Sequence, residues 1–169
     1  VFGTTNSLGI SSFGINYSTG AVIKFNSSGA VQWAARIYNR DVSTGGITTD
    51  AAGNIYATSS FRSWSSGTAA QVYDGLNAVN TLFNPGIGLG YMIKLAPNGA
   101  WQWGVTFGNA GDGVNTLTSG TDIALDGSGN VWLSGQYSGA NATFYSTSGS
   151  NLSGPSSTGN RGFVAKYSP

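Results

Sequence analysis

The stretch AVIKFNSSGAVQWAARI at 21–37 returns as YMIKLAPNGAWQWGVTF at 91–107, with six of seventeen positions identical. The shared positions include Ile-Lys and Gly-Ala-x-Gln-Trp. A second pair follows the same spacing: ITTDAAGNIYATS at 47–59 matches IALDGSGNVWLSG at 123–135 through the frame Asp-x-x-Gly-Asn. A third copy opens at Gly162-Phe-Val-Ala-Lys-Tyr167, matching Gly20-Ala-Val-Ile-Lys-Phe25 and Gly90-Tyr-Met-Ile-Lys-Leu95. From Lys24 to Lys94 to Lys166 the period is 70 to 72 residues. A period of this size means that one supersecondary unit is being repeated.

Each unit reads as four short strands. Asp50-Ala51-Ala52-Gly53-Asn54 and Asp126-Gly127-Ser128-Gly129-Asn130 join the first two. There Gly supplies the positive φ of a tight hairpin and the Asp carboxylate caps the turn. Asn26-Ser27-Ser28-Gly29 and Ala96-Pro97-Asn98-Gly99 join the second two. In the last strand a two-residue alternation places Val31, Trp33, Ala35 and Ile37 on one face, and Trp101, Trp103, Val105 and Phe107 on the matching face. No segment carries a helical period. The expectation is an all-β chain of four-stranded antiparallel units that cannot bury their faces alone. The units are a part-unit at 1–37, a unit at 45–107 with an insertion at 61–89, and a unit at 121–169 with an insertion at 137–161. Both insertions are rich in Gly, Ser and Asn, lack repeat similarity, and read as exposed loops.

The order Asp-x-x-Gly-Asn-(Val/Ile)-(Tyr/Trp), then Gly-x-(Val/Ile)-x-Lys-(Phe/Tyr), then Gly-x-x-x-Trp resembles the bacterial and viral beta-propeller repeat family often called SBBP. The resemblance covers about 21–59, 91–135 and 162–167. It implies a propeller in an extracellular, cell-surface or virion-surface protein, commonly without an assigned activity. The insertions depart from it, since the family's repeats are shorter. Two units do not close a ring, as propellers need about four to eight blades. Val1 begins and Pro169 ends inside a unit, so the expectation is an excerpt of a longer propeller, with a ring shared among chains as the alternative.

Composition narrows function. Charged residues are 8% of the 169, all six acids are Asp, and net charge is +1. The seven basic residues are scattered, which gives no reason to expect a nucleic acid. No apolar run is long enough for a helical membrane span. Without His or Cys the usual neutral-pH base and most metal ligands are missing. The reading is therefore of no catalytic residues, no metal and no cofactor. Asp50 and Asp126, with Asn54 and Asn130, recur at equivalent turns and read as structural. Trp33 and Trp103 read as packing between neighbouring sheets, and Tyr56 and Trp132 as architecture. The recurring Lys24, Lys94 and Lys166 read as stems lying along the sheet or pairing with Asp.

Two features leave room for a ligand. Asp112 and Asp122 flank an insertion that could hold a cation or a sugar hydroxyl, or be a solvated loop. Trp64, Tyr73, Phe83, Tyr137, Phe144 and Tyr145 lie in the insertions. Exposed rings beside Asn and Ser suit carbohydrate stacking, and the same rings could instead anchor their loops. Trp64, Tyr73, Tyr137 and Tyr145 are the candidate stacking residues. Four glycosylation sequons, at Asn16, Asn26, Asn141 and Asn151, are no more than composition predicts by chance. The functional expectation is a non-catalytic surface module whose partners are other copies or blades of the same protein. A lectin-like propeller that binds glycans is the alternative.

Overall fold

The computed structural model describes residues 19–39, 42–43, 45–62, 69–83, 86–108, 118–138, 142–148, 150–154 and 159–168. These form thirteen strands and no helix. In chain order they are β1 (Thr19–Phe25), β2 (Val31–Tyr38), β3 (Ile47–Thr49), β4 (Ile55–Arg62), β5 (Ala70–Tyr73), β6 (Val79–Leu82), β7 (Gly88–Leu95), β8 (Trp101–Gly108), β9 (Ser119–Leu125), β10 (Val131–Tyr137), β11 (Thr143–Tyr145), β12 (Asn151–Ser153) and β13 (Arg161–Tyr167). Every pairing is antiparallel. The strands make a first sheet in the order β1-β2-β5-β6, a central sheet in the order β12-β11-β8-β7-β4-β3, and a third sheet in the order β13-β10-β9.

The sequence repeat is a repeat of backbone detail. Lys24 opposes Trp33 and Lys94 opposes Trp103, each followed by the same bulge before Phe25 and Leu95. Tyr56 opposes Lys94 as Trp132 opposes Lys166. Five hairpins share one turn geometry, beginning at Asn26, Asp50, Asp74, Ala96 and Asp126. In each, the first residue's N–H donates to the carbonyl four residues on. Its own carbonyl accepts from the N–H three residues on. That fourth residue has positive φ: Gly29, Gly53, Gly99 and Gly129 lie at 79° to 87°, and Asn77 at 63°. Asn is the residue that replaces Gly there with least strain.

The three sheets stack face to face through two cores. Trp33, Ala35, Ile37 and Val72 of the first sheet pack on Ile55, Phe61, Tyr91, Ile93 and Leu95 of the central one. On its other face, Tyr56, Met92, Val105 and Phe107 pack on Ile123, Val131 and Leu133 of the third sheet. Strand β7 is thus buried on both faces, with alternate residues serving alternate cores.

Two expectations are corrected. The spans 61–89 and 137–161 are not simply loops. Each carries a hairpin, β5-β6 and β11-β12, that reaches back to extend the preceding sheet. Strand β5 joins β2 through Ile37 and Val72, and β11 joins β8 through Phe107 and Phe144. The β5-β6 hairpin forms because Ala70, Val72 and Leu82 are fully buried, and that burial offsets the ordering of a short strand pair, whereas β11-β12 is only half-buried, through Phe144. Second, Trp101 does not share a face with Trp103. The bulge shifts the alternation, so Trp101 packs into the first core and Trp103 into the second. Val31 is likewise turned out to solvent while Trp33 is buried.

Candidate functional site

Asp50 and Asp126 read from sequence as structural turn residues, and each carboxylate is taken up by its own hairpin. Asp50 Oδ1 accepts the Asn54 N–H at 2.8 Å, and Oδ2 accepts the Asn54 amide at 2.7 Å and the Tyr56 hydroxyl at 3.3 Å. Asp126 repeats this. Oδ1 accepts the Asn130 N–H at 2.9 Å, and Oδ2 accepts the Asn130 amide at 2.7 Å and Trp132 Nε1 at 3.2 Å. Lys166 Nζ stands 3.6 Å from Asp126 Oδ2 and 5.3 Å from the Trp132 ring centroid. Lys94 Nζ sits 4.9 Å from the Tyr56 centroid in the same arrangement. The Asn hydrogen bonds hold both carboxyls below the usual carboxylate range, Asp126 the further of the two. An acid held ionised in this way is unsuited to general acid work at neutral pH. Among the described residues no three His, Cys, Asp or Glu side chains gather as metal ligands.

Asp74, which sequence reasoning passed over, is the buried carboxylate of the molecule's first core. Its Oδ1 accepts the Leu76 and Ala78 N–H groups at 2.9 Å, which shapes its own turn. Its Oδ2 accepts the Trp101 N–H, also at 2.9 Å, from the central sheet. The adjacent Gly75 N–H donates to Gly99 O at 2.8 Å. From the other side, Lys24 Nζ at 2.9 Å and Trp33 Nε1 at 3.1 Å both donate to Pro97 O. The Ala96–Ala100 turn is therefore clamped by Lys24, Trp33 and Gly75, and the Trp101 N–H that follows it by Asp74. The signal was available: Asp74-Gly-Leu-Asn77 is the Asp-x-x-Gly turn with Asn in place of Gly.

Three of the four proposed stacking residues can be placed, and they do not converge. Tyr73 and Tyr145 occupy equivalent ends of β5 and β11, in different sheets. Tyr73 carries the Arg36 guanidinium 4.8 Å from its ring centroid, and Tyr145 meets Phe83 edge-on at 5.4 Å. Tyr137 is buried and packs against Phe163. Trp64 lies outside the described residues, as do Asp112, Asn16 and Asn141. Asp122 is exposed and accepts the Ile123 N–H. Asn26 accepts three hydrogen bonds within its turn, and Asn151 is exposed at the start of β12.

A concavity lies elsewhere. A cleft of about 800 Å³ separates β8, β11 and β12 from β13, walled by Trp103, Val105, Phe144, Phe163 and Tyr167. Its floor is a cluster in which Phe144 and Phe163 both meet Phe107, at 5.9 Å and 5.5 Å, and each other at 4.9 Å. The rim is Ser146, Ser148, Ser150 and Asn151, and Tyr137 reaches the wall. The Tyr167 hydroxyl is buried there without a hydrogen-bond partner, and burial raises its pKa. Tyr145 and Phe83 border a separate space of about 370 Å³. No helix among the described residues is long and apolar enough to cross a membrane.

No protein-family model and no curated protein sequence matches this chain.

Proposed function

We propose that the chain is a non-catalytic structural module of propeller type, whose stacked sheets are successive blades and whose role is protein–protein assembly or attachment at an extracellular, cell or virion surface. One observation carries this reading: the central sheet is buried on both faces by copies of its own kind, with turn, bulge and register repeated. A unit built this way buries its faces against its neighbours, so interface terms add to its own stability as in a repeat array. Sparse charge and abundant Ser, Thr and Asn suit a surface exposed to solvent and to other subunits. Asp50 and Asp126 each serve the turn of their own hairpin, in different sheets.

The blade reading is tested by joining six to eight copies of residues 49–120 in tandem and imaging the product by electron microscopy. A closed ring is expected. A straight or open-ended filament would refute it. The non-catalytic reading fails if the chain hydrolyses a polysaccharide and Asp126→Asn abolishes turnover with unchanged melting.

A lectin-like function is supported by the cleft rather than by the four residues expected from sequence. Aromatic walls with a serine and asparagine rim are what sugar recognition uses. A glycan array decides it, with Trp103→Ala and Phe144→Ala as the variants that should lose binding.

A further inference from the structure

The repeat assigns a degree of burial to each position, and the two outer faces of the stack depart from it. In the central sheet, Ile93 and Leu95 are buried against the first sheet and Trp101 packs there too. Their equivalents in the first sheet are Ile23, Phe25 and Val31, which face outward and are 42%, 56% and 38% exposed. On the opposite side of the central sheet, Tyr56 and Met92 are buried against the third sheet. Their equivalents there are Trp132 and Val164, 41% and 70% exposed. Both ends of the molecule therefore present an apolar face that the same sequence positions bury elsewhere in the same molecule.

The faces are also of opposite kind. The outer face of the third sheet is the surface that, one unit earlier, packs on Ile123, Val131 and Leu133. The outer face of the first sheet is the surface that, one unit later, receives Trp33, Ala35 and Ile37. Each is a half of an interface the molecule already makes twice. An exposed apolar surface of this sort marks an interaction site.

We infer that the occupant is a second copy of this chain, bound head to tail, its Ile23-Phe25-Val31 face seated on the Trp132-Val164 face of the first. This rests on the blade reading above, because it takes the two internal sheet contacts as the pattern for the external one. The contact is heterologous: it uses two different patches and generates a ring if the rotation closes or an open series if it does not. Neither patch carries Asp74, while the third-sheet patch adjoins the cleft and the Asp126 turn: Val164 borders the cleft and Trp132 donates to Asp126 Oδ2.

Ile23→Asp and Val164→Asp each put a carboxylate into one half of the contact at an exposed position, which leaves the fold intact, as circular dichroism and melting should verify. The wild-type chain should show weight-average mass rising with concentration in sedimentation equilibrium. Burying an unpaired carboxylate in the contact should weaken self-association roughly 100-fold or more in each variant. Mixed in equal amounts, the two variants should pair one to one and go no further, because each retains the half the other has lost. A wild-type chain that stays monomeric at millimolar concentration with a normal melt overturns the inference, and leaves the tandem-ring test of the blade reading unaffected. Variants that fail to complement each other also overturn it, since an interface of like patches would let one variant self-associate and the other not.

Discussion

Replacing Trp33 with alanine tests the packing of one sheet on the next at its centre. The indole is 7% exposed, lies over Gly75 and Gly99, and donates Nε1–H to Pro97 O. A buried indole removes roughly 200 Å² from water. At about 25 cal/mol per Å² that is about 5 kcal/mol, of which alanine keeps a small part. The expected loss is about 4 kcal/mol, inside the range of about 3–5 kcal/mol for such truncations. The lost hydrogen bond adds little, because Lys24 Nζ continues to donate to the same carbonyl. For a chain of this size each kcal/mol moves the melting temperature by about 2–4 °C, so the fall should be on the order of 10–15 °C. Trp103, equivalent in sequence but only partly buried, should lose less. Thermal melts followed by near-UV circular dichroism read both. If Trp33→Ala melts within 2 or 3 °C of wild type, the face-to-face packing of the first and central sheets is wrong.

Other consequences follow from the same geometry. Gly99→Ala and Gly129→Ala both force a side chain to positive φ, which costs about 1–2 kcal/mol. Gly129 has open space around it, whereas a Cβ on Gly99 would lie 2.8 Å from Trp33 and from Gly75, so urea titration should find Gly99→Ala clearly the worse. Asp74→Ala should cost about 2–3 kcal/mol by stranding the half-buried Trp101 N–H and undoing its own turn, measured in the same titration. Burial pushes the Tyr91 hydroxyl up to about 12 from the ordinary 10.0. A raised folded-state value means its contribution, on the order of 2–3 kcal/mol, is complete below pH 10 and lost as pH rises through about 12. Stability should therefore decline across that alkaline window, and Tyr91→Phe should flatten the decline.

How much of this was legible depends on which forces repeat. Turn chemistry is local, so Asp-x-x-Gly-Asn, Asn26-Ser-Ser-Gly29 and Ala96-Pro-Asn-Gly99 announced four of the five like hairpins from sequence alone. Sheet faces were legible where alternation is regular, as in Trp33, Ala35 and Ile37. They failed at Trp101, because a bulge shifts the face without leaving a residue signature. The hairpins β5-β6 and β11-β12 were hidden for a different reason. Each has to cover only the edge of the preceding sheet, a task Val72 and Phe144 perform with different volumes, so the sequences are free to diverge. One signal survived: Tyr73 and Tyr145 are 72 residues apart, the same separation as Lys94 and Lys166.

The candidate sites follow the same logic in reverse. The cleft draws Trp103 from β8, Phe144 from β11 and Phe163 from β13, and no sequence window contains two of them. Periodicity also assigns Ile23 the role of Ile93 and Val164 the role of Met92, which is to say buried. It is correct about the kind of surface and silent about what covers it. Under the head-to-tail proposal, the positions that break the pattern of burial without breaking the pattern of sequence are where the second copy sits. Ile23, Phe25, Val31, Trp132 and Val164 are those positions here, and a single carboxylate at either end of the stack separates a surface that merely shows from one that binds.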